Sequence, residues 1–218
     1  MKLSDTTTKV LKNFASINPS ILLKEGETIR TISPQKNVLA QAVTDQPIEK
    51  EMCLYDINQF LNIVESIEDC EINVNDTKAL LSNPQNTQNS TVFFADPSVI
   101  VTPPEKNINV KNMLFSFVLQ PEELTKLLRM ASLCNAEELI IQQSKAGKVH
   151  CKVTNTSNPT ANHFSLFIET DESNDETSLP ATLDVSKVNF IKDKYEVHVY
   201  EKIIHFKGTI AEYWIAQK

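Results

Sequence analysis

The sequence predicts an α+β chain of two similar domains, each with two helices on one face of antiparallel sheets. Three observations carry that expectation. Short runs rich in Val, Ile, Leu and Phe alternate with amphipathic stretches, and the order of helix and strands is laid out twice. A proline-bearing stretch, "ADPSVIVTPPEKNINV" at residues 95–110, separates the two series. Letters also repeat across it: "TKVLKNFASI" from Thr8 aligns with "TKLLRMASL" from Thr125 with one residue skipped, and "YDINQF" from Tyr55 aligns with "LDVSKV" from Leu183. Each match falls at the same place in the same order of elements, the mark of an internal duplication. The expected organisation is a first domain over 1–95, a linker over 96–110 and a second domain over 111–218.

The first helix is expected from Leu3 to Ala15, with Ser4 or Asp5 as its cap and Val10, Leu11 and Phe14 on its inner face. Strand-like runs follow at "SILLK", "TIRTIS", "NVLAQAV" and "EMCLY". In "DINQFLNIVESI", Ile57, Phe60, Leu61, Val64 and Ile67 line one helical face, with Asp56 and Gln59 placed as a capping box. "CEINVN", "KALLS" and "STVFF" then read as three short strands. Pro97, Pro103 and Pro104 favour an extended connection that belongs to neither a helix nor a central strand.

Past the linker, "MLFSFVL" reads as a strand. "QPEELTKLLRMA" reads as a helix with Pro121 in its first turn and Leu124, Leu127, Leu128 and Ala131 facing inward. "EELIIQQ", "KVHCKV" and "HFSLFIE" are strand-like, "LDVSKVNFI" is expected as a short helix, and "KYEVHVYE", "KIIHFK" and "AEYWIAQ" close the chain as strands. The 3 glycines, Gly26, Gly147 and Gly208, each lie between two strand-like runs, where hairpin turns are expected.

Composition removes several kinds of chemistry. With 41% hydrophobic and 22% charged residues among 218, the chain can build a core, and no apolar run approaches the ~20 residues of a membrane span. The start, "MKLSDTTTK", lacks the apolar middle of a signal peptide, so a cytoplasmic protein is expected. Cys53, Cys70, Cys134 and Cys151 are scattered without a C-x-x-C pair, as reduced core residues would be. No glycine remains for a phosphate-cradling loop, and no G-x-S-x-G turn supports a hydrolase nucleophile. His150, His163, His198 and His205 lack metal-ligand spacing, and the acidic run from Glu169 to Ser178 carries Glu176 where a calcium loop needs glycine. No catalytic residue, metal or cofactor is expected.

What remains is charge. The chain is acidic at net −7, yet its first helix carries Lys9 and Lys12 outward with Lys2 just before it, and the matching helix of the second half carries Lys126 and Arg129. Each alone suits a solvated helix face. Together, on one side of the molecule, they suit a polyanion such as duplex DNA, whose phosphates are met without reading sequence. No recognition-helix pattern reaches for base edges. The alternative is a structural or scaffold protein of two β-rich domains without DNA binding.

"MKLS" with "TT", then "LKNFASIN" and "ILLKEG", resemble the amino terminus of the sliding clamps of T-even-type bacteriophages, the DNA polymerase processivity factors. The similarity continues at "YDINQFLNIV", at "ADPSVIV" and at "LTKLLRMAS", in order along the whole chain. It implies two domains of like fold, a homotrimeric ring with helices around the hole and sheets on the rim, and partners in duplex DNA, a DNA polymerase and a clamp loader, in the cytoplasm of an infected host cell. The DNA-facing candidates are then Lys12 and Arg129, with Lys9 and Lys126 beside them, and Lys2 and Lys187 after them. The helix from Asp56 has no Lys or Arg and carries Glu65, although Asn58, Gln59 and Asn62 offer hydrogen bonds. Val99, Ile100 and Val101 are candidates for a crevice that holds partner peptides, or else pin the linker to the sheets. "STVFF" of one subunit and "HFSLFIE" of the next are the candidates for pairing around the ring.

Overall fold

The computed structural model describes residues 1–105, 108, 110–144, 147–170 and 178–218. It contains two compact units, Met1–Glu105 and Lys106–Lys218. Most of the acidic run between Glu169 and Ser178 lies outside the described residues.

The first unit opens with α1 (Asp5–Ala15). Ser4 is the cap: its Oγ accepts from the Thr7 N–H at 3.1 Å and donates to Asp45 Oδ1. Thr7, Val10, Leu11 and Phe14 recur at helical spacing and are all buried. Burying a side chain such as Leu11 or Phe14 contributes about 1.5–3 kcal/mol. Four strands follow, β1 (Ile21–Leu23), β2 (Gly26–Ile32), β3 (Val38–Ile48) and β4 (Met52–Leu54). Here the glycine expectation needs correcting. β1 pairs with β4 and β2 with β3, so Gly26 does not turn a hairpin. It starts β2 with φ +112°, a backbone that side-chain-bearing residues rarely adopt, where the register against β3 slips between Gly26 and Thr28.

The helix α2 (Ile57–Ser66) is capped by Asp56, whose Oδ1 accepts from the Gln59 N–H at 3.0 Å. It packs beside α1 and buries Ile57, Phe60 and Leu61, while Val64 is half-buried. The unit ends in an antiparallel sheet of β5 (Glu71–Val74), β6 (Lys78–Ser82) and β7 (Asn89–Phe93), in that spatial order. Met1 closes the outer edge of β5: its ammonium donates to Ile72 O at 2.8 Å and its carbonyl accepts from the Ile72 N–H at 2.7 Å.

The second unit starts with β8 (Met113–Leu119) and α3 (Pro121–Cys134). The Gln120 N–H donates to Glu123 Oε2 at 2.8 Å, and Asn135 ends the helix in the left-handed conformation with φ 49°. Leu124, Leu127 and Ala131 are buried, whereas Leu128, expected inside, is half-buried. Next come β9 (Glu138–Ser144), β10 (Lys148–Thr154), β11 (Phe164–Glu169) and β12 (Ala181–Asp184), in the spatial order β11-β10-β9-β12, with α3 packed on β10 and β11. The carboxy-terminal residue covers β12, where the Lys218 N–H donates to Thr182 O at 2.9 Å. A second antiparallel sheet joins β8 to β13 (Tyr195–Tyr200), then β14 (Ile203–Lys207), then β15 (Ala211–Ala216). Gly208 turns from β14 to β15, and a Cβ there would come within 2.7 Å of both Ala211 O and Tyr195 Cε1.

The short helix expected at "LDVSKVNFI" is absent as such. The stretch completes β12 and then makes one 3₁₀ turn, Val185–Lys187. Two tyrosines hold the end of the stretch in another conformation. Ile191 donates its N–H to Tyr213 Oη at 3.1 Å, and its carbonyl accepts from Tyr195 Oη. Phe190 stacks on Tyr213 with ring centroids 4.4 Å apart. The Ile191 N–H, committed to a side chain in this way, is not free for an i→i−4 bond to Lys187. Among the described residues the second unit therefore has one α-helix where the first has two.

Candidate nucleic-acid interface

Because the apolar positions of α1 face inward, Lys9 and Lys12 project outward and are exposed. Lys12 does not stand alone. Its Nζ lies 2.5 Å from Glu65 Oε1 of α2, with the two side chains 53% and 45% exposed. Lys2 reaches Asp69 at 3.9 Å. Within this unit, then, two of the three cations meet an acid that follows the middle of α2.

The corresponding face of α3 is different. Lys126 and Arg129 are exposed, and among the described residues neither forms an ion pair. Lys126 Nζ instead lies 5.6 Å from the Phe164 ring centroid, a cation–π contact that leaves its charge intact. Lys187 is half-buried and held by Asp184 at 2.6 Å; Asp184 also receives Lys218 at 3.4 Å. Lys187 beside it keeps the Asp184 carboxyl below its ordinary range. A lysine so engaged is poorly placed to reach a phosphate.

On α2, Asn58, Gln59 and Asn62 line a shallow open dish with Tyr55, Ile63 and Ser66. Tyr55 is a large exposed side chain that sequence reasoning missed, since it precedes the cap and belongs to no periodic face.

Of the three linker residues, Val99 is exposed, Ile100 is 6% exposed and packs into the first unit, and Val101 is half-buried. The Val101 carbonyl receives Asn18 Nδ2 at 3.4 Å. Beyond them a cleft of about 250 Å³ opens between Leu22, Thr28 and Arg30 and the segment of Thr102 and Pro103. Arg30 Nη1 donates to Pro104 O at 2.8 Å, and Lys24 pairs with Glu105 at 3.1 Å.

Two sheet edges complete the set. Among the described residues no strand lies beyond β7 in its sheet or beyond β11 in its own. Each carries a solvent-facing phenylalanine, Phe93 at 71% exposed and Phe167 at 58%. Neither edge has a proline or a lysine to blunt it.

Comparison with known proteins draws these features together. The family model described as DNA polymerase processivity factor matches residues 2–102. The sliding clamp of Vibrio phage KVP40 is 24% identical over 99% of this chain and 98% of its own length. The sliding clamps of Enterobacteria phage T4 and Escherichia phage RB69 are 34% and 35% identical over 68% of this chain, and the match spans 64% of each relative's length. These matches support reading the chain as similar to the sliding clamps of T-even-type phages, the DNA polymerase processivity factors. Solved clamps share the fold at low identity. Proliferating cellular nuclear antigen of Entamoeba histolytica superimposes with a TM-score of 0.68 at 12% identity, covering 97% of this chain and 94% of that one. The DNA polymerase III β subunit of Pseudomonas aeruginosa gives 0.68 at 11%, covering 98% and 63%.

The family match over 2–102 includes α1, α2 and the start of the linker, so Lys9, Lys12 and Glu65 lie inside it, and Lys126 and Arg129 of α3 lie outside. His150 serves packing. It stacks on Phe167 at 4.6 Å and shares a hydrogen bond with Ser165, while Cys151, its neighbour on the opposite face of β10, is buried and the pKa of its thiol is pushed up to about 12.

Proposed function

We propose that this clamp closes as a homotrimer around duplex DNA and acts without catalysis, tethering a polymerase by topology, after a clamp loader has opened it, in the cytoplasm of the infected host cell. Residues 1–95 and 111–218 act as the two clamp domains and 96–110 as the connector. Lys9, Lys12, Lys126 and Arg129 meet phosphates, with smaller parts for Lys2 and Lys187. Val99, Ile100 and Val101, with the adjoining cleft, hold a partner peptide on the linker.

The observation that supports a ring is the state of the sheet edges. Of the four edges of the β5–β7 sheet and the β9–β12 sheet, Met1 covers β5 and Lys218 covers β12, while among the described residues β7 and β11 stay open with Phe93 and Phe167 displayed. An open edge on each unit is a heterologous pair, and head-to-tail contacts of that kind generate closed rings when the rotation permits. Pairing β7 of one subunit with β11 of the next removes both liabilities at once.

Native mass measurement is expected to return three times the subunit mass, and Phe93→Asp to shift the protein to single subunits. Clamp loaded on closed circular DNA is expected to survive salt that abolishes simple electrostatic binding and to run off once the circle is cut. Equal loss from circles and linear fragments would sink the proposal.

A further inference from the structure

We propose that Glu65 sets how strongly this clamp holds DNA, by keeping Lys12 occupied in an ion pair. The inference rests on the reading above, in which Lys12 of α1 meets phosphates of the duplex. Lys12 leaves the last turn of α1 and Glu65 the last turn of α2, and because the helices pack side by side the two charges meet at 2.5 Å. Lys12 is well placed on its own helix, since a cation near a carboxy-terminal end complements the helix dipole. Glu65 is badly placed on its own: an acid there opposes the dipole, so α2 gains nothing from it locally. Its evident partner is the lysine of the neighbouring helix. Asp69, just past α2, lies more loosely opposite Lys2 at 3.9 Å, and Lys9, between Lys2 and Lys12 in the chain, has no acid partner among the described residues.

The consequence is a damped attraction. A phosphate that recruits Lys12 must displace a carboxylate, and it gains only the difference between two exposed ion pairs, each weak in water. Among the described residues no acid pairs with the cations of α3, so Lys126 and Arg129 present their full charge. One ring thus combines the undamped contacts of Lys126, Arg129 and Lys9 with a damped contact at Lys12. A clamp retained by enclosure needs no more, and stronger contacts would slow its movement along the duplex.

The test is equilibrium binding of the full-length clamp to a short linear duplex across a salt series, for Glu65→Gln, Lys12→Gln and the double variant. Glu65→Gln is expected to bind about threefold tighter at low salt and to steepen the dependence of log K on log salt by up to ~0.9 for each Lys12 that gains a phosphate. In the Lys12→Gln background the same change is expected to have little effect. The inference is overturned if Glu65→Gln leaves affinity and slope unchanged, or if it tightens binding equally in both backgrounds, which would be a general charge effect. Lys126→Gln with Arg129→Gln separates the two levels. If that pair weakens binding while Glu65→Gln does nothing, the tuning role alone fails; if neither matters, the helices do not meet DNA and the underlying reading falls too. All four positions are exposed, and an unchanged native mass for each variant shows that the assembly persists.

Discussion

α1 and α3 occupy the same place in two similar units, bury the same kind of apolar stripe and carry cations at matching positions, yet their charged faces differ. α1 shares its surface with α2, which brings Glu65 to Lys12. α3 has no helical partner in its unit among the described residues, because the stretch aligned with α2 stops after Val185–Lys187. A duplicated plan thus keeps what the core requires and leaves the surface to whichever element survives beside it. The same 3₁₀ turn diverts Lys187 to Asp184 and so subtracts a cation from the second unit as well.

The largest expected effects probe the shared core. Leu11→Ala and Leu127→Ala each remove a nearly fully buried leucine and are expected to cost about 2–5 kcal/mol in denaturant unfolding. Costs of similar size would support the equivalence of the two helices; a negligible cost at one would break it. Next, reversing charge with Lys126→Glu and Arg129→Glu is expected to lower affinity for linear duplex by an order of magnitude or more, with a salt slope shallower by ~0.9 for each phosphate no longer neutralised. Ser4→Ala removes the cap of α1 and is expected to cost about 1 kcal/mol, measured by thermal melting. Lys12→Gln is expected to weaken DNA binding only about twofold, because its charge is already engaged by Glu65 and a damped contact contributes little to phosphate affinity. A weakening as large as that at α3 would contradict the contrast between the helices.

Acid titration gives the smallest effect. Glu138 accepts from Lys218 Nζ at 2.7 Å and from the Thr156 N–H at 3.1 Å, and Lys218 foremost holds its carboxyl below the usual range. A depressed folded pKa contributes stability above the unfolded value of about 4.3 and loses it as pH falls through the folded value. Glu138→Gln should therefore flatten the acid side of the stability curve, read by melting between pH 5 and pH 2 as an approximate window.

Much of this was legible in the chain. Apolar residues spaced three and four apart announced α1, α2 and α3, and short apolar runs marked fourteen of the strands; β12 was hidden inside a run that looked helical. "LDVSKVNFI" misled because its letters match the opening of α2, and nothing local reveals that Tyr195 and Tyr213 will claim the backbone of Ile191. Gly26 misled for a related reason: a glycine between two strand-like runs reads as a hairpin until strand pairing is known. At the candidate interface, periodicity alone indicated that Lys9, Lys12, Lys126 and Arg129 would be exposed, since the apolar stripe must turn inward and carries the opposite face out.

What the order of residues determined by itself was the type of each long element, the duplicated layout and the side of each helix that meets water, because those depend on spacing along a single segment. Tertiary structure decided which charges are neutralised, which edges are covered by Met1 and Lys218, and where Ile100 is pinned. Those outcomes require groups distant in sequence to come within a few ångströms, and an ion pair or a strand pairing exists only where packing has already placed both partners.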